Sequence, residues 1–208
     1  MGSNRKFAYG EQRDLSLTDN LGSWLSKRKL LRFARARRPA CVVDIGCGYD
    51  AELLRAIAPY AENCIGIDIH VKQQHRGIQL IETLIVDRLP MLESGTTDFI
   101  IMNNVLEHME YPLEILKETH RALKNGGTLF VNVPSWPGKR LLEFSAFHAG
   151  FSAVVEIDDH KMYYNPRDLW PLMVKAGYRP RHLRIGFHKV WLNTFAWAVK
   201  GAAWDGSN

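Results

Sequence analysis

The sequence predicts a doubly wound α/β fold: a mostly parallel, seven-stranded sheet with a small helical cap inserted after strand five. Three observations carry that prediction. Short, continuous apolar runs alternate with helical patterns between residues 41 and 133; the first run ends in the glycine turn Gly46-Cys47-Gly48; and no segment repeats. Apolar runs without polar alternation are strands buried on both faces, which parallel sheets have because helices cover them. The 208 residues, 46% hydrophobic and 24% charged, suit one domain. A chain of this length buries about 70% of its unfolded surface, so its core needs neither disulfide nor metal. Residues 1–20 read as a polar lead, and 21–208 as a single domain with a substrate cap around 135–170.

Leu21 to Arg38 reads as a helix, with Asn20 as its cap and Pro39 as its stop. Leu30, Phe33 and Ala34 form its apolar stripe. Arg28, Arg32 and Arg35 lie opposite, with Trp24 and Leu25 nearer the arginine side. Cys41 to Ile45 is the first strand. Asp50 to Tyr60 follows as a helix with Asp50 as N-cap, and Cys64 to Ile69 is the second strand. Ile78 to Val86 is the third strand and Asp98 to Met102 the fourth. Pro112 to Lys124 is a helix that ends where Asn125-Gly126-Gly127 supplies a left-handed cap. Thr128 to Val133 is the fifth strand.

Beyond Pro134 the alternation changes. Leu141 to Phe151 suggests a helix and Asp158 to Asn165 a loop. Pro166 to Ala176 suggests a helix with proline at its start and Gly177 after its end. Tyr178 to Gly186 and Val190 to Val199 suggest two closing strands.

Composition removes several function classes. The apolar stretch Val190 to Val199 is half the ~20 residues a membrane-spanning helix needs. Met1 to Gly10 has Arg5 and Lys6 but no apolar run behind them, so no secretion signal is expected. Three cysteines without a C-x-x-C argue against a disulfide framework or a zinc ribbon and favour the cytoplasm. The net charge is 27 − 22 = +5, concentrated in Lys27–Arg38 and Lys175–Lys189, which contain no acid.

In an open parallel sheet, ligands bind beyond the carboxyl ends of the strands, beside the first one. Here that place is Asp44-Ile45-Gly46-Cys47-Gly48-Tyr49-Asp50. Asp68 ends the next strand, where a carboxylate can accept both hydrogens of a ribose diol. Gly46-x-Gly48-x-x-Ala51 also satisfies the relaxed dinucleotide fingerprint. Charge separates the two readings. A pyrophosphate seeks the positive end of the first helix, and Asp44 and Asp50 would repel it. A cationic adenosine compound without phosphate suits these acids, and S-adenosylmethionine is one.

From Val42 to Pro134 the chain resembles the class I S-adenosylmethionine-dependent methyltransferases, in the small-molecule, type 11-like branch. Val42-Val-Asp-Ile-Gly-Cys-Gly48 is similar to the first motif of that family and Ile65-Gly-Ile-Asp68 to the second. Asp87-Arg-Leu-Pro90, Asp98 to His108, and Leu123-Lys-Asn-Gly-Gly-Thr-Leu129 resemble the following three in order. His160 to Leu169 with Ala176-Gly-Tyr178 resembles the branch's ending. The resemblance implies S-adenosylmethionine as cofactor. Asp44, Gly46, Cys47 and Gly48 would surround its methionine part, Asp68 and Ile69 its ribose, Asp87 its adenine, and Asn103 would line the site.

For the acceptor, two histidines are candidate bases: His108 just beyond strand four and His160 in the cap region. Asp158-Asp159-His160 as metal ligands is set aside, because neighbours in an extended chain point to opposite faces, and no metal is expected. Asn103-Asn104-Val105-Leu106 lacks the prolines and aromatic with which DNA adenine methyltransferases grip a flipped base, so a nucleic-acid base is disfavoured, while RNA or protein methylation, or a non-catalytic cofactor-binding subunit, stays the alternative. Trp136, Phe144, Phe147, Phe151, Tyr163, Tyr164 and Trp170 enrich the C-terminal third in aromatics, which suits a small-molecule, saccharide or lipid-linked acceptor. The basic helix is expected across the strand ends, where its arginines and Trp24 could meet an anionic membrane.

Overall fold

Seven strands form one sheet in the order β3-β2-β1-β4-β5-β7-β6. They are β1 (Cys41–Ile45), β2 (Asn63–Asp68), β3 (Ile78–Glu82), β4 (Thr97–Asn103), β5 (Leu123–Pro134), β6 (Leu183–His188) and β7 (Asn193–Val199). The computed structural model describes residues 17–72, 77–83, 92–139, 160–188 and 190–201, with side chains from Ser26 onward. The first five strands pair in parallel, and β7 runs antiparallel between β5 and β6. The chain steps outward from β1 through β2 to β3 and returns to β4 on the other side of β1. That reversal opens the crevice at the carboxyl ends of β1 and β4.

Two cores sandwich the sheet. On one face Leu30 and Ala34 of α1 (Leu17–Arg37) and Leu54 and Ile57 of α2 (Glu52–Ile57) pack on Val42, Phe99, Ile101 and Phe130. On the other, α3 (Pro112–Ala122) and α4 (Pro166–Lys175) cover Val43, Ile45, Ile100, Met102 and Val131. Residues next to each other in β1 and β4 thus enter opposite cores, as the pleat requires. Between α3 and the residues after α4, the Thr119 and Tyr178 hydroxyls share a buried hydrogen bond of 3.0 Å.

Several boundaries differ from the sequence reading. Helix α1 starts at Leu17, so Asn20 lies inside it. It also lies on the sheet face rather than across the strand ends: Phe33 packs 4.5 Å from Phe99 and 5.0 Å from Trp197, ring to ring. The apolar stripe found the larger aromatic surface there. Arg28, Arg32 and Arg35 are exposed, as the stripe implied, while the side chains of Trp24 and Leu25 fall outside the described residues. Helix α2 starts after Ala51, which is itself left-handed at φ 46°, so Asp50 is no N-cap.

Strand β5 begins at Leu123, because that residue already pairs with Thr97 before the irregularity at Thr97/Phe99. The last strands are shorter than expected, since Pro180–His182 forms a 3-10 turn and β7 begins only at Asn193. Strand β3 is described to Glu82. The expected helix at 141–151 and most of the cap lie outside the described residues.

Candidate active site

The crevice is floored by the turn between β1 and α2. Gly46 and Gly48 both sit at φ 75°, a conformation that costs glycine nothing and other residues a good deal. The turn is held to the neighbouring strand: the Gly46 and Cys47 N–H groups both donate to the Ile67 carbonyl, at 2.7 and 3.3 Å. A Cβ on Gly46 would run into the Val105 side chain, so the turn after β4 lies directly against the glycine turn.

Asp68 braces this loop from the end of β2. Its Oδ2 accepts the Gly48 N–H at 2.7 Å and its Oδ1 accepts the Ile69 N–H at 2.7 Å. A carboxylate oxygen can accept more than one such bond. Asp44, at 2% exposure, stands in β1 beneath the same loop. Burial, with the Asp68 charge adding to it, pushes its carboxyl up to about 8. An acid so placed holds its proton at neutral pH and yields it when a cation arrives nearby. Burial and the same two acids also raise the Cys47 thiol, so it is not a nucleophile. The Cys47 sulfur is turned toward the core, 2.9 Å from where a Gly66 Cβ would be.

At the end of β4, Asn103 is held by a partner absent from the sequence reading. Asn132 of β5, with 0% exposure, donates its Nδ2 to Asn103 Oδ1 and to Asn104 Oδ1, both at 3.1 Å. Asn104 is left-handed at φ 57°, and its N–H donates to the Asn132 carbonyl at 2.8 Å. Beyond it, Leu106–His108 forms a 3-10 turn in which Glu107 is fully buried.

The segment from His160 to Asn165 runs back along this edge. The Lys161 and Met162 N–H groups donate to the Glu107 carbonyl at 2.9 and 3.3 Å, and that of Tyr164 to Pro134 at 3.0 Å. These bonds bring together the two candidate histidines, 52 residues apart in sequence, with ring centroids 4.8 Å apart. Tyr163 Oη lies 3.0 Å from His160 Nδ1. Trp136 is 41% exposed beside Tyr163, and Lys139 Nζ lies 5.6 and 5.5 Å from their two ring centres.

Asp44, Gly46, Cys47, Gly48, Asp68, Ile69 and Asn103 therefore meet at one crevice, and His108 and His160 meet at its β4 side. Asp87, Asp158 and Asp159 lie outside the described residues. Glu107 and Asn132 were missed by sequence reasoning. Glu107 sits inside the quoted fourth motif, so its position was visible but its burial was not. Two shallow grooves at the opposite end of the strands, lined by residues such as Arg55, Glu62, Asn63 and Gln79, include none of these residues.

A family model described as a methyltransferase domain matches residues 12–183. An uncharacterized 37.1 kDa protein in transposon TN4556 of Streptomyces fradiae is 32% identical over 133 residues, 59% of this chain. The chain spans only 37% of that relative's length. Among solved structures, an S-adenosylmethionine-dependent methyltransferase from Archaeoglobus fulgidus aligns with TM-score 0.63 and 16% identity, covering 89% of this chain and all of that one. The plantazolicin methyltransferase BpumL, solved with a monoazolic desmethylplantazolicin analogue and S-adenosylhomocysteine, aligns with TM-score 0.68 and 15% identity, over 88% and 87%. These likenesses establish the fold. The family model extends through the glycine turn, the Glu107 turn and α4, far more than half of the chain, and so the protein belongs to the methyltransferase-domain family.

Proposed function

We propose that the protein transfers a methyl group from S-adenosylmethionine to an oxygen of a small-molecule, saccharide or lipid-linked acceptor. The observation that carries this reading is the pair of buried acids, Asp44 and Asp68, beneath a glycine turn. One ionised carboxylate, with a second acid that releases its proton beside a cation, disfavours a pyrophosphate and favours a cationic nucleoside.

S-adenosylmethionine, when bound, supplies an activated methyl on a sulfonium leaving group. Asp68 would accept from the ribose diol while it braces the Gly48 N–H. Gly46 and Gly48 let the backbone approach closely, and Asp44 gives the cation a counter-charge once its proton leaves. Asn132 fixes Asn103 and Asn104 at the end of β4. What the chain contributes is alignment of acceptor and donor, a proximity effect that lowers the barrier by several kcal/mol. On the acceptor side stand His108 and His160, with the exposed Trp136 as an aromatic face onto which a sugar or ring could stack.

BpumL, a plantazolicin methyltransferase seen with a monoazolic acceptor analogue, is a precedent for an organic acceptor on this fold. The arginines of α1 extend the proposal to weak, salt-sensitive contact with an anionic membrane. Among the described residues no helix is long and apolar enough to cross one.

Calorimetric titration with S-adenosylmethionine, S-adenosylhomocysteine and NAD tests the cofactor. Heat with NAD alone overturns it. Transfer of a tritiated methyl to fractionated extract tests the acceptor: label in the small-molecule or lipid fraction supports the reading, and label only in protein or RNA overturns it. Cofactor binding without transfer to any fraction would make the chain a non-catalytic partner subunit. Co-sedimentation with anionic vesicles at low and high salt tests the membrane contact, which pelleting equal to neutral vesicles overturns.

A further inference from the structure

We propose that Glu107, His108 and His160 form a binding site for a first-row divalent cation at the acceptor side of the crevice. One ligand atom from each of the three lies within 4.8 Å of the others. Ligand atoms on a tetrahedral ion with bonds of about 2.1 Å stand about 3.4 Å apart, so side-chain rotations that bring the atoms closer by up to about 1.4 Å close the set.

The ligand chemistry is specific. Two imidazoles and one carboxylate suit zinc, cobalt or manganese rather than calcium, which prefers all-oxygen shells. Three protein ligands leave positions open for a substrate oxygen, as catalytic sites do.

The scaffold around the cluster supports the same assignment. Glu107 and His108 are consecutive on one 3-10 turn, and the segment carrying His160 is tied to that turn by two backbone bonds into the Glu107 carbonyl. Tyr163 Oη lies 3.0 Å from His160 Nδ1. A hydrogen bond there leaves Nε2 as the ligating nitrogen, an outer-sphere arrangement common among metal-bound histidines. Glu107 is fully buried, so a cation beside it would meet a carboxyl oxygen with no solvent competing for the position.

The site's place gives it a use. The turn that carries Glu107 begins with Val105, whose side chain lies against Gly46. A cation here would bind the acceptor hydroxyl and lower its pKa, doing what either histidine would otherwise do as a base. The hydroxyl proton passes to water, the oxygen lone pair forms the new bond to the methyl carbon, and the sulfur–methyl electron pair stays on sulfur. This role rests on the methyl-transfer reading; the site itself does not.

The test uses untagged full-length protein, dialysed against chelator and titrated with Co²⁺. One equivalent is expected to bind, with visible d–d absorption, in the absence of any methyl donor. His160→Ala and Glu107→Gln should weaken binding at least about 100-fold, and Tyr163→Phe about 10-fold, with far-UV circular dichroism confirming that each variant is folded. No d–d absorption in the wild type overturns the site. So does Co²⁺ binding retained in folded His160→Ala, or a thiolate charge-transfer band pointing to the cysteines. Because the readout needs no donor, the site can stand even if methyl transfer fails, and can fall while transfer stands.

Discussion

The Asp68 carboxylate holds Gly48 by its N–H at 2.7 Å, so the acid that would face the ribose also shapes the loop beneath the cofactor. Asp68→Ala should therefore weaken S-adenosylmethionine binding by about 1.5–3 kcal/mol, roughly 10- to 150-fold, through loss of a charged acceptor. Calorimetry measures this, and affinity within twofold of wild type would remove Asp68 from the site. Asp68→Asn should retain part of the loop bracing, and its melting temperature should exceed that of the alanine variant.

Asp44 carries a proton in the folded protein at pH 7, since its carboxyl is raised to about 8 mainly by burial. The unfolded chain releases that proton near pH 4. Between those values the folded state binds one more proton than the unfolded state, so this group makes stability fall as pH rises from about 4 to about 8. Denaturant titrations at pH 6 and pH 8.5 should show wild type losing stability relative to Asp44→Asn. A difference that does not change with pH would mean the carboxyl is ionised throughout.

Gly46→Ala meets two obstacles at once: a backbone φ of 75° and the Val105 side chain. The left-handed backbone alone costs about 1 kcal/mol, and the overlap should bring the total to about 2–4 kcal/mol. Adding Val105→Ala relieves only the overlap. Thermal melts should thus show partial recovery in the double variant, and full recovery would mean the backbone carries no strain.

Asn132 is the buried link between β5 and the end of β4, donating to both Asn103 and Asn104. Asn132→Asp replaces two donors by acceptors against two carbonyl oxygens. A loss of about 2–4 kcal/mol in stability is expected, with weaker cofactor binding alongside. Chemical denaturation measures the first effect. Unchanged stability would mean that the two asparagines find other donors.

How far the sequence reaches is seen residue by residue. Local signals set the strands and the glycine turn: Val42 to Ile45 has no polar break but Asp44, and Gly46 and Gly48 mark the left-handed positions that the backbone takes. Asp68 was legible because a strand's last residue has a fixed place in this topology. The partnership of Glu107 with His160 was not legible, since it depends on how residues 160–165 pair across the ends of β4 and β5. Asn132 read as one polar residue in an apolar strand, and nothing local says that it spans to Asn103. Helix α1 was placed over the strand ends because its stripe was visible while its partners, Phe99 and Trp197, come from strands about 65 and 165 residues further on.

The interior position of β7 has a consequence for how the molecule is made. Twelve-residue β5 is buried along most of its length, and its free side is completed only by Asn193–Val199. Lys200 then locks the junction by donating its Nζ to the Leu123 carbonyl at 2.7 Å. A nascent chain that has passed residue 188 already holds the glycine turn, Asp68 and the Glu107 turn, yet β5 is still an open edge that can pair with any neighbouring strand. Five parallel strands must wait on the ribosome for the last one, and that interval is when a chaperone would be needed most.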